Sequence, residues 1–403
     1  MIKIAVLGYG TVGSGVVEVL ETNRESITKR AGDVIDVKYV LDLRDFPGNP
    51  VQEKIVHDYD VILKDEEIKI VVEVMGGVEP AFTFVKQALM AGKNVATSNK
   101  ELVAKHGAKL IAIAREHSVN FMFEASVGGG IPIIRPLIQS LTADEIVEIT
   151  GILNGTTNYM LTKMSEDGLD YEDVLKNAQE KGYAERNPAA DVEGYDACRK
   201  IAILASLAYG RQVDYEDIYT EGITKITEKD FEYAKKLGVA IKLLATCEHQ
   251  GDKIFSMVSP MMIGQDHPLY NVSNVFNAIF VKGNMLGDAM FYGRGAGKLP
   301  TASAVVADVV EEVKHLNTNV KMNWSCEKIH LADMKEASHR FFVRVSGSLS
   351  EKEGAVTALF GPVEFIQAVY GEFGFVTSAM EERIFDEKAA QLDGILTRIR
   401  GNF

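Results

Sequence analysis

Met1-Ile-Lys-Ile-Ala-Val-Leu-Gly8-Tyr-Gly10-Thr11-Val12-Gly13-Ser-Gly15 opens the chain. Residues 2 to 7 are an apolar, β-branched run of the kind buried on both faces of a parallel sheet, and glycines follow at 8, 10, 13 and 15. Strand, tight turn and helix are expected in that order. Gly8 to Gly13 spell GxGxxG directly after a strand and at the opening of a helix, the context that gives this pattern weight. Gly8 permits the turn, Gly10 lets the backbone approach a pyrophosphate, and Gly13 allows close packing of helix on strand. The helix N-terminus, around Thr11 and Val12, offers N–H groups and a partial positive charge to the phosphates.

Working outward, apolar runs at 34–41, 68–74, 94–97 and 119–123 alternate with helical patterns at 81–90 and 101–116. That alternation predicts an α/β, Rossmann-type dinucleotide-binding domain over residues 1–130, with a parallel sheet and helices on both faces. After Gly130 the rhythm changes to longer helical stretches, around 156–181 and 195–209, interleaved with strands such as 146–152. This predicts an α+β domain over 131–322 for substrate and dimerisation, pairing through a sheet edge near 146–152. Its Ala/Val-rich helix after Gly293 to Gly297 is expected to return, over 300–322, to the first domain. Residues 338–403 read as strand (340–345), helix (354–370), strands (374–383), helix (386–393) and strand (394–400), a βαββαβ order.

Composition narrows the function. Apolar residues are 46% and charged residues 25% of 403, and no stretch reaches the roughly 18 to 20 apolar residues of a membrane span. The N-terminus lacks the basic, apolar and small-residue regions of a cleavable signal, so a cytoplasmic protein is expected. Lys plus Arg number 43 against 57 Asp plus Glu, a net charge of −14 without a basic tract, which argues against nucleic acid. Cys198, Cys247 and Cys326 show no CxxC spacing and read as free thiols, not a disulfide framework, a zinc site or the activated nucleophile of a phosphorylating aldehyde dehydrogenase. The eight histidines share no spacing, which counts against dehydrogenases built on a catalytic histidine. The end of the second strand should discriminate NAD from NADP. There Asp42 and Asp45 flank Arg44, leaving both open, with NADP favoured through Arg44.

Several further segments together resemble homoserine dehydrogenase. They are Ser98-Asn-Lys-Glu101, Glu124-Ala-Ser-Val-Gly-Gly-Gly-Ile-Pro132, Gly151-Ile-Leu-Asn-Gly-Thr-Thr-Asn-Tyr159, Gly182-Tyr-Ala-Glu-Arg-Asn-Pro188, Asp191-Val-Glu-Gly-Tyr-Asp196 with Arg199-Lys200, and Gly293-Arg-Gly-Ala-Gly297 with Pro300-Thr-Ala-Ser303. The resemblance implies reversible NAD(P)-dependent reduction of L-aspartate 4-semialdehyde to L-homoserine, in threonine, methionine and isoleucine biosynthesis, by a homodimer or homotetramer. Hydride transfer to an aldehyde builds negative charge on oxygen, which a positioned cation or proton donor must meet. The resemblance implies that Lys200 and Lys100 are the catalytic lysines. Asp196, four residues before Lys200 on an expected helix, would orient its ammonium, although that spacing is also common in surface pairs.

The resemblance assigns Glu185, Asp191 and Asp196 to binding or organising the substrate, whose ammonium needs carboxylates. Where the family has Pro-Asp-Pro, this chain has Arg186-Asn187-Pro188. Asn154, Gly155 and Thr156 form a small polar loop between strand and helix, suited to substrate contact. Ser98, Lys100, Gly293 and Gly297 are implied at the cofactor, while Pro300 and Thr301 are equally explained by helix capping. A monovalent cation, sodium or potassium, is implied at Glu124 and the carbonyls of Val127, Gly129 and Ile131; the alternative is a glycine hinge with no ion. Residues 338–403 look like an ACT domain, with Glu353-Gly354 where such domains commonly have Pro-Gly. Threonine is the implied effector, and a role in assembly alone is the alternative. The alternative to an enzyme is a non-catalytic amino-acid or dinucleotide sensor, which has no reason to keep Lys100, Glu185, Asp196 and Lys200 together.

Overall fold

Ile2–Leu7 lies at the middle of a six-stranded sheet ordered Ile55–Val56, Ile35–Leu41, Ile2–Leu7, Ile68–Glu73, Asn94–Thr97, Phe121–Met122. All neighbours are parallel. Ile4, Ala5, Val6 and Leu7 are wholly buried, as a strand covered on both faces requires. The order reverses on either side of Ile2–Leu7, so a crevice opens beyond the carboxyl ends of these strands. Leu7 pairs with both Leu41 and Glu73, and the glycine loop, Asp42 and Val74 therefore leave the sheet at one level.

This computed structural model describes all residues, 1–403. The chain divides into two units, residues 1–146 with 202–216 and 291–329, and residues 147–201 with 217–290 and 330–403. In the first unit, Ala302, Val305, Val306 and Val309 of helix Lys298–Lys314 join the core of Ile4, Val6 and Val16. That helix crosses helix Thr11–Thr22 at Gly15, where an added Cβ would stand 2.9 Å from the Ala302 Cβ and from the Lys298 carbonyl.

In the second unit, Ala240–Gln250 and Lys253–Ile263 form a long antiparallel hairpin closed at Gly251. Ile146–Ile152 does not offer the pairing edge expected of it, because it lies between Phe276–Gly283 and Ala240–Gln250. On the other side of the hairpin, Ile395–Asn402 pairs in parallel with Met261–Ile263 and antiparallel with Ser338–Ser346. Residues 338–403 thus extend the same sheet, and pack Phe341, Val343, Phe373, Phe375 and Phe385 beneath helix Leu349–Phe360. That helix ends before the expected 370 because Gly361 takes φ +78° and Pro362 cannot continue it. The expected helical stretch 156–181 is two helices, Gly155–Asp167 and Tyr171–Glu180, separated by left-handed Gly168 and restarted by the Asp170 cap. No helix is long and apolar enough to cross a membrane.

Candidate active site

The glycine loop has two constrained positions and one open one. Gly8 takes φ +97°, and a Cβ on Gly13 would fall 2.0 Å from the Gly8 carbonyl oxygen, so neither accepts a side chain. Around Gly10, the residue before helix Thr11–Thr22, nothing lies within 4 Å of an added Cβ. Protein packing does not demand a glycine there, and the start of the helix is left open to close approach.

The acid and the base at the end of the second strand take different parts. Asp42 has a side chain only 9% exposed and accepts from the Tyr9 amide at 2.8 Å and from the Arg44 amide, Nε and Nη2, each at 3.0 Å. The Arg44 guanidinium holds this carboxyl well below the usual carboxylate range, against the opposing effect of burial. The Arg44 side chain is 62% exposed and its guanidinium rests 5.1 Å from the Phe46 ring centroid. Asp45 accepts from Gln52 and lies 3.3 Å from His57, away from this pairing. Asp42 therefore fixes the loop, and Arg44 faces outward beside it.

Lys100 is the first residue of helix Lys100–Glu116. The helix is capped by Asn99, whose Oδ1 accepts from the Leu102 amide at 3.1 Å while its Nδ2 donates to the Gly77 carbonyl at 2.6 Å. Ser98 donates its amide to the Glu73 carbonyl at 3.4 Å, which keeps this loop at the carboxyl end of the sheet.

The Glu124 loop departs from the sequence expectation. Its carboxylate, expected to face a cation, instead accepts from the amides of Ile133 (2.6 Å), Ile134 and Arg135 (both 2.8 Å). Those amides begin a helical turn and have no intrahelical acceptor, which draws the buried acid to them. The glycines of the loop are demanded by packing: Gly129 has φ +58°, and its Cβ would stand 2.3 Å from the Gly295 carbonyl oxygen. Gly130 donates to the Arg294 carbonyl at 3.1 Å, and Gly293 and Gly297 lie on this same facing segment, Gly297 with φ +127°. Two residues not singled out in the sequence complete the support, Asp308 and Arg135. They pair with each other, and Asp308 accepts the Glu124 amide at 2.8 Å. Burial pushes the Asp308 carboxyl up to about 7, with Arg135 opposing it.

In the second unit, four expected residues come together at the end of strand Ile146–Ile152. Asn154 caps helix Gly155–Asp167 through the Thr157 amide at 2.9 Å. Its Nδ2 donates to Asp191 Oδ1 at 2.7 Å and to Asp196 Oδ2 at 2.9 Å. Lys200, one turn beyond Asp196 on helix Tyr195–Tyr209, donates to the same Asp196 oxygen and to the Leu153 carbonyl, both at 2.7 Å. Lys200 is 8% exposed and Asp196 3% exposed, so this pair is no solvated surface pair. An oriented, buried ammonium beside two carboxylates can exchange a proton with a bound hydroxyl and hold a cationic group next to it.

Gly155 and Thr156 have local duties. A Cβ on Gly155 would meet the Val275 carbonyl oxygen at 2.9 Å. The Thr156 hydroxyl donates to the Tyr183 carbonyl at 2.7 Å, and Gln179 donates to the Glu185 carbonyl at 3.1 Å. Together they fix the backbone that carries the exposed Glu185.

The homoserine dehydrogenase family model matches residues 132–310, and that of the homoserine dehydrogenase NAD-binding domain matches residues 8–124. Homoserine dehydrogenase of Bacillus subtilis is 39% identical over 402 residues, covering 97% of this chain and 88% of that one. The Synechocystis homoserine dehydrogenase is 44% identical over 86% of this chain and 79% of its own length. Among solved structures, a homoserine dehydrogenase from Thiobacillus denitrificans superposes with a TM-score of 0.89 at 35% identity, covering 100% of this chain and 98% of the other. That of S. aureus superposes with a TM-score of 0.83 at 32% identity, over 100% and 99%.

Proposed function

Since the chain belongs to the homoserine dehydrogenase family and is an oxidoreductase with that family's NAD-binding domain, we propose that it interconverts L-homoserine and L-aspartate 4-semialdehyde in the cytoplasm, with NADP preferred. The observation that carries the proposal is the cluster of buried Lys200, Asp196 and Asn154 with the half-buried Asp191. When bound, the dinucleotide supplies the hydride acceptor or donor. As its neutral amine, Lys200 takes the proton of the homoserine hydroxyl while the aldehyde forms, and in reverse the resulting ammonium gives that proton to the carbonyl oxygen. Asp196 and the Leu153 carbonyl hold its Nζ in one direction, so that no reorientation accompanies the transfer. Asp191 and Glu185 receive the substrate ammonium, and Lys100 orients substrate and nicotinamide.

The preference for NADP rests on Arg44. Its outward guanidinium suits a 2′-phosphate, whereas the Asp42 carboxylate, already accepting four N–H groups, has little left for ribose hydroxyls. The main-chain carbonyls of Glu124, Val127, Gly129 and Ile131 are the donor set for sodium or potassium, all oxygen as a hard cation requires. Residues 338–403 are an ACT-like unit with threonine as effector. A cavity of about 490 Å³ at its first strand–helix turn, lined by Gly347, Ser348, Leu349 and Glu372, supports that reading. Dimers or tetramers are the working assembly.

The test is homoserine-dependent reduction of NADP by the wild-type protein and by Lys200→Met. The expected result is turnover in the wild type and a loss of about 10²- to 10⁴-fold in the variant. Near-normal turnover by a folded Lys200→Met protein would remove Lys200 from the chemistry.

A further inference from the structure

Glu73 is wholly buried at the last position of strand Ile68–Glu73, paired to Leu7 on one side and Thr97 on the other. Its surroundings are not those of a core filler. Oε1 accepts from the Met75 amide at 2.8 Å, and Oε2 accepts from the Thr97 hydroxyl at 2.7 Å. The Thr97 hydroxyl in turn accepts from the Asn99 amide at 2.9 Å. Asn99 caps the helix that begins at Lys100 and ties it to the Gly77 carbonyl. The segment fixed through Met75 also reaches the glycine loop, where the Gly8 position faces Met75 and the Val74 carbonyl. One carboxylate thus organises three loops at the carboxyl end of the sheet and is itself screened from any ligand.

We infer that Glu73 is a positioning residue for hydride transfer, acting through Thr97 and Asn99 to fix Lys100 and the loops beside the nicotinamide. The inference rests on the reaction proposed above. Its logic is one of proton direction. A hydroxyl has a single proton, and an acceptor-only carboxylate forces that proton toward Glu73, leaving the lone pairs of Thr97 for the Asn99 amide. An amide in place of the carboxylate must present an NH₂ group either to the Met75 amide, donor against donor, or to the Thr97 oxygen. In the second case the Thr97 oxygen accepts from both sides and its proton loses the acceptor that oriented it, so the hydroxyl that receives the Asn99 amide, at the residue before Lys100, is no longer held in one direction. Burial raises the Glu73 carboxyl above its ordinary range, while the bonds from Thr97 and Met75 oppose this. The geometry therefore keeps an acceptor at a place where desolvation disfavours one.

The experiment uses the full chain and steady-state oxidation of homoserine with Glu73→Gln, Thr97→Val and Thr97→Ser. Glu73→Gln and Thr97→Val should each lower kcat by about ten- to a hundredfold, the scale of a small misplacement of reacting groups. The KM for homoserine should stay within about twofold, because Asp191 and Glu185 belong to other segments. Thr97→Ser keeps the hydroxyl and should restore kcat, a rescue that a loss of bulk stability alone would not give. The double variant Glu73→Gln/Thr97→Val should be no slower than its slower parent, as members of one chain of bonds are not additive. If Glu73→Gln does not fold, the two Thr97 variants decide alone. Folded Thr97→Val with wild-type kcat, or a KM that rises while kcat stays constant, overturns the inference. Absence of turnover in the wild-type chain overturns the reaction assignment, and this inference with it; wild-type turnover with unaffected variants overturns the positioning role only.

Discussion

Replacement of Asn154 separates two duties that the structure places on one side chain. Its Oδ1 caps helix Gly155–Asp167, and its Nδ2 donates to both Asp191 and Asp196. Alanine removes both, whereas serine keeps an oxygen for the cap and loses the bridge between the carboxylates. Losing the cap costs about 1 kcal/mol. Each charge-assisted bond lost at this buried position costs about 1.5 kcal/mol or more. Asn154→Ser should therefore destabilise by about 3 kcal/mol, and Asn154→Ala by about 4 kcal/mol. Amide hydrogen exchange of a peptide containing Thr157 reads the cap directly: the Ala variant should exchange about fivefold faster there than the Ser variant, the equivalent of 1 kcal/mol. Homoserine oxidation reads the bridge, and both variants should lose kcat to a similar degree because both release Asp196 from its second tether. Two outcomes would refute this reasoning. Wild-type kcat in the serine variant would mean that Asp196 needs no help in aiming Lys200; equal Thr157 exchange in the two variants would mean that the oxygen of Asn154 does not cap.

Arg44→Ala should raise the KM for NADP by about tenfold or more and leave that for NAD nearly unchanged, read from initial rates with each cofactor. Gly129→Ala should destabilise by about 2–4 kcal/mol, since the backbone is left-handed and the new Cβ meets the Gly295 carbonyl at 2.3 Å; a thermal melt beside the wild type checks it. His339 is held down to about 4 by burial, with Arg400 and Arg398 adding to it. The unfolded imidazole takes up a proton near 6.5, so the unfolded chain binds more protons between these values, and stability is present above 6.5 and falls with pH toward 4. Urea midpoints between pH 7 and pH 4.5 should therefore drop less steeply in His339→Gln than in the wild type.

The parts of the fold that could be read from the sequence are those where one residue type has one physical use. Gly8 and Gly13 are fixed by a left-handed turn and a backbone contact, and the run 2–7 by burial on two faces. The motif segments holding Asn154, Asp191, Asp196 and Lys200 contained the cluster, although only the structure shows Asn154 bridging the two acids. The Glu124 segment was legible as important, but the partners of its side chain were not: the amides of 133–135 that it accepts from are ordinary main-chain groups with no signature in the sequence. Pairing across long separations left no local signal. Only three residues of Ile395–Asn402 meet Met261–Ile263, and periodicity cannot tell such a junction from a free edge. Glu73 reads as one acid ending an apolar strand, and nothing in the spacing of Glu73, Thr97 and Asn99 announces that they form one chain of hydrogen bonds.

Helix Lys298–Lys314 fills the core beneath the glycine loop from a place nearly three hundred residues downstream. A chain emerging from the ribosome at roughly 5–20 residues per second must therefore wait from about fifteen seconds to a minute after Val16 appears before Ala302 arrives to cover it. During that interval the first strands have no partner for one apolar surface, and Gly15 faces open water. The nascent protein cannot finish the domain it begins with until most of the other one has been synthesised. The first unit is begun first but closes only with residues 291–329, after residues 147–201 and 217–290 of the second have been made.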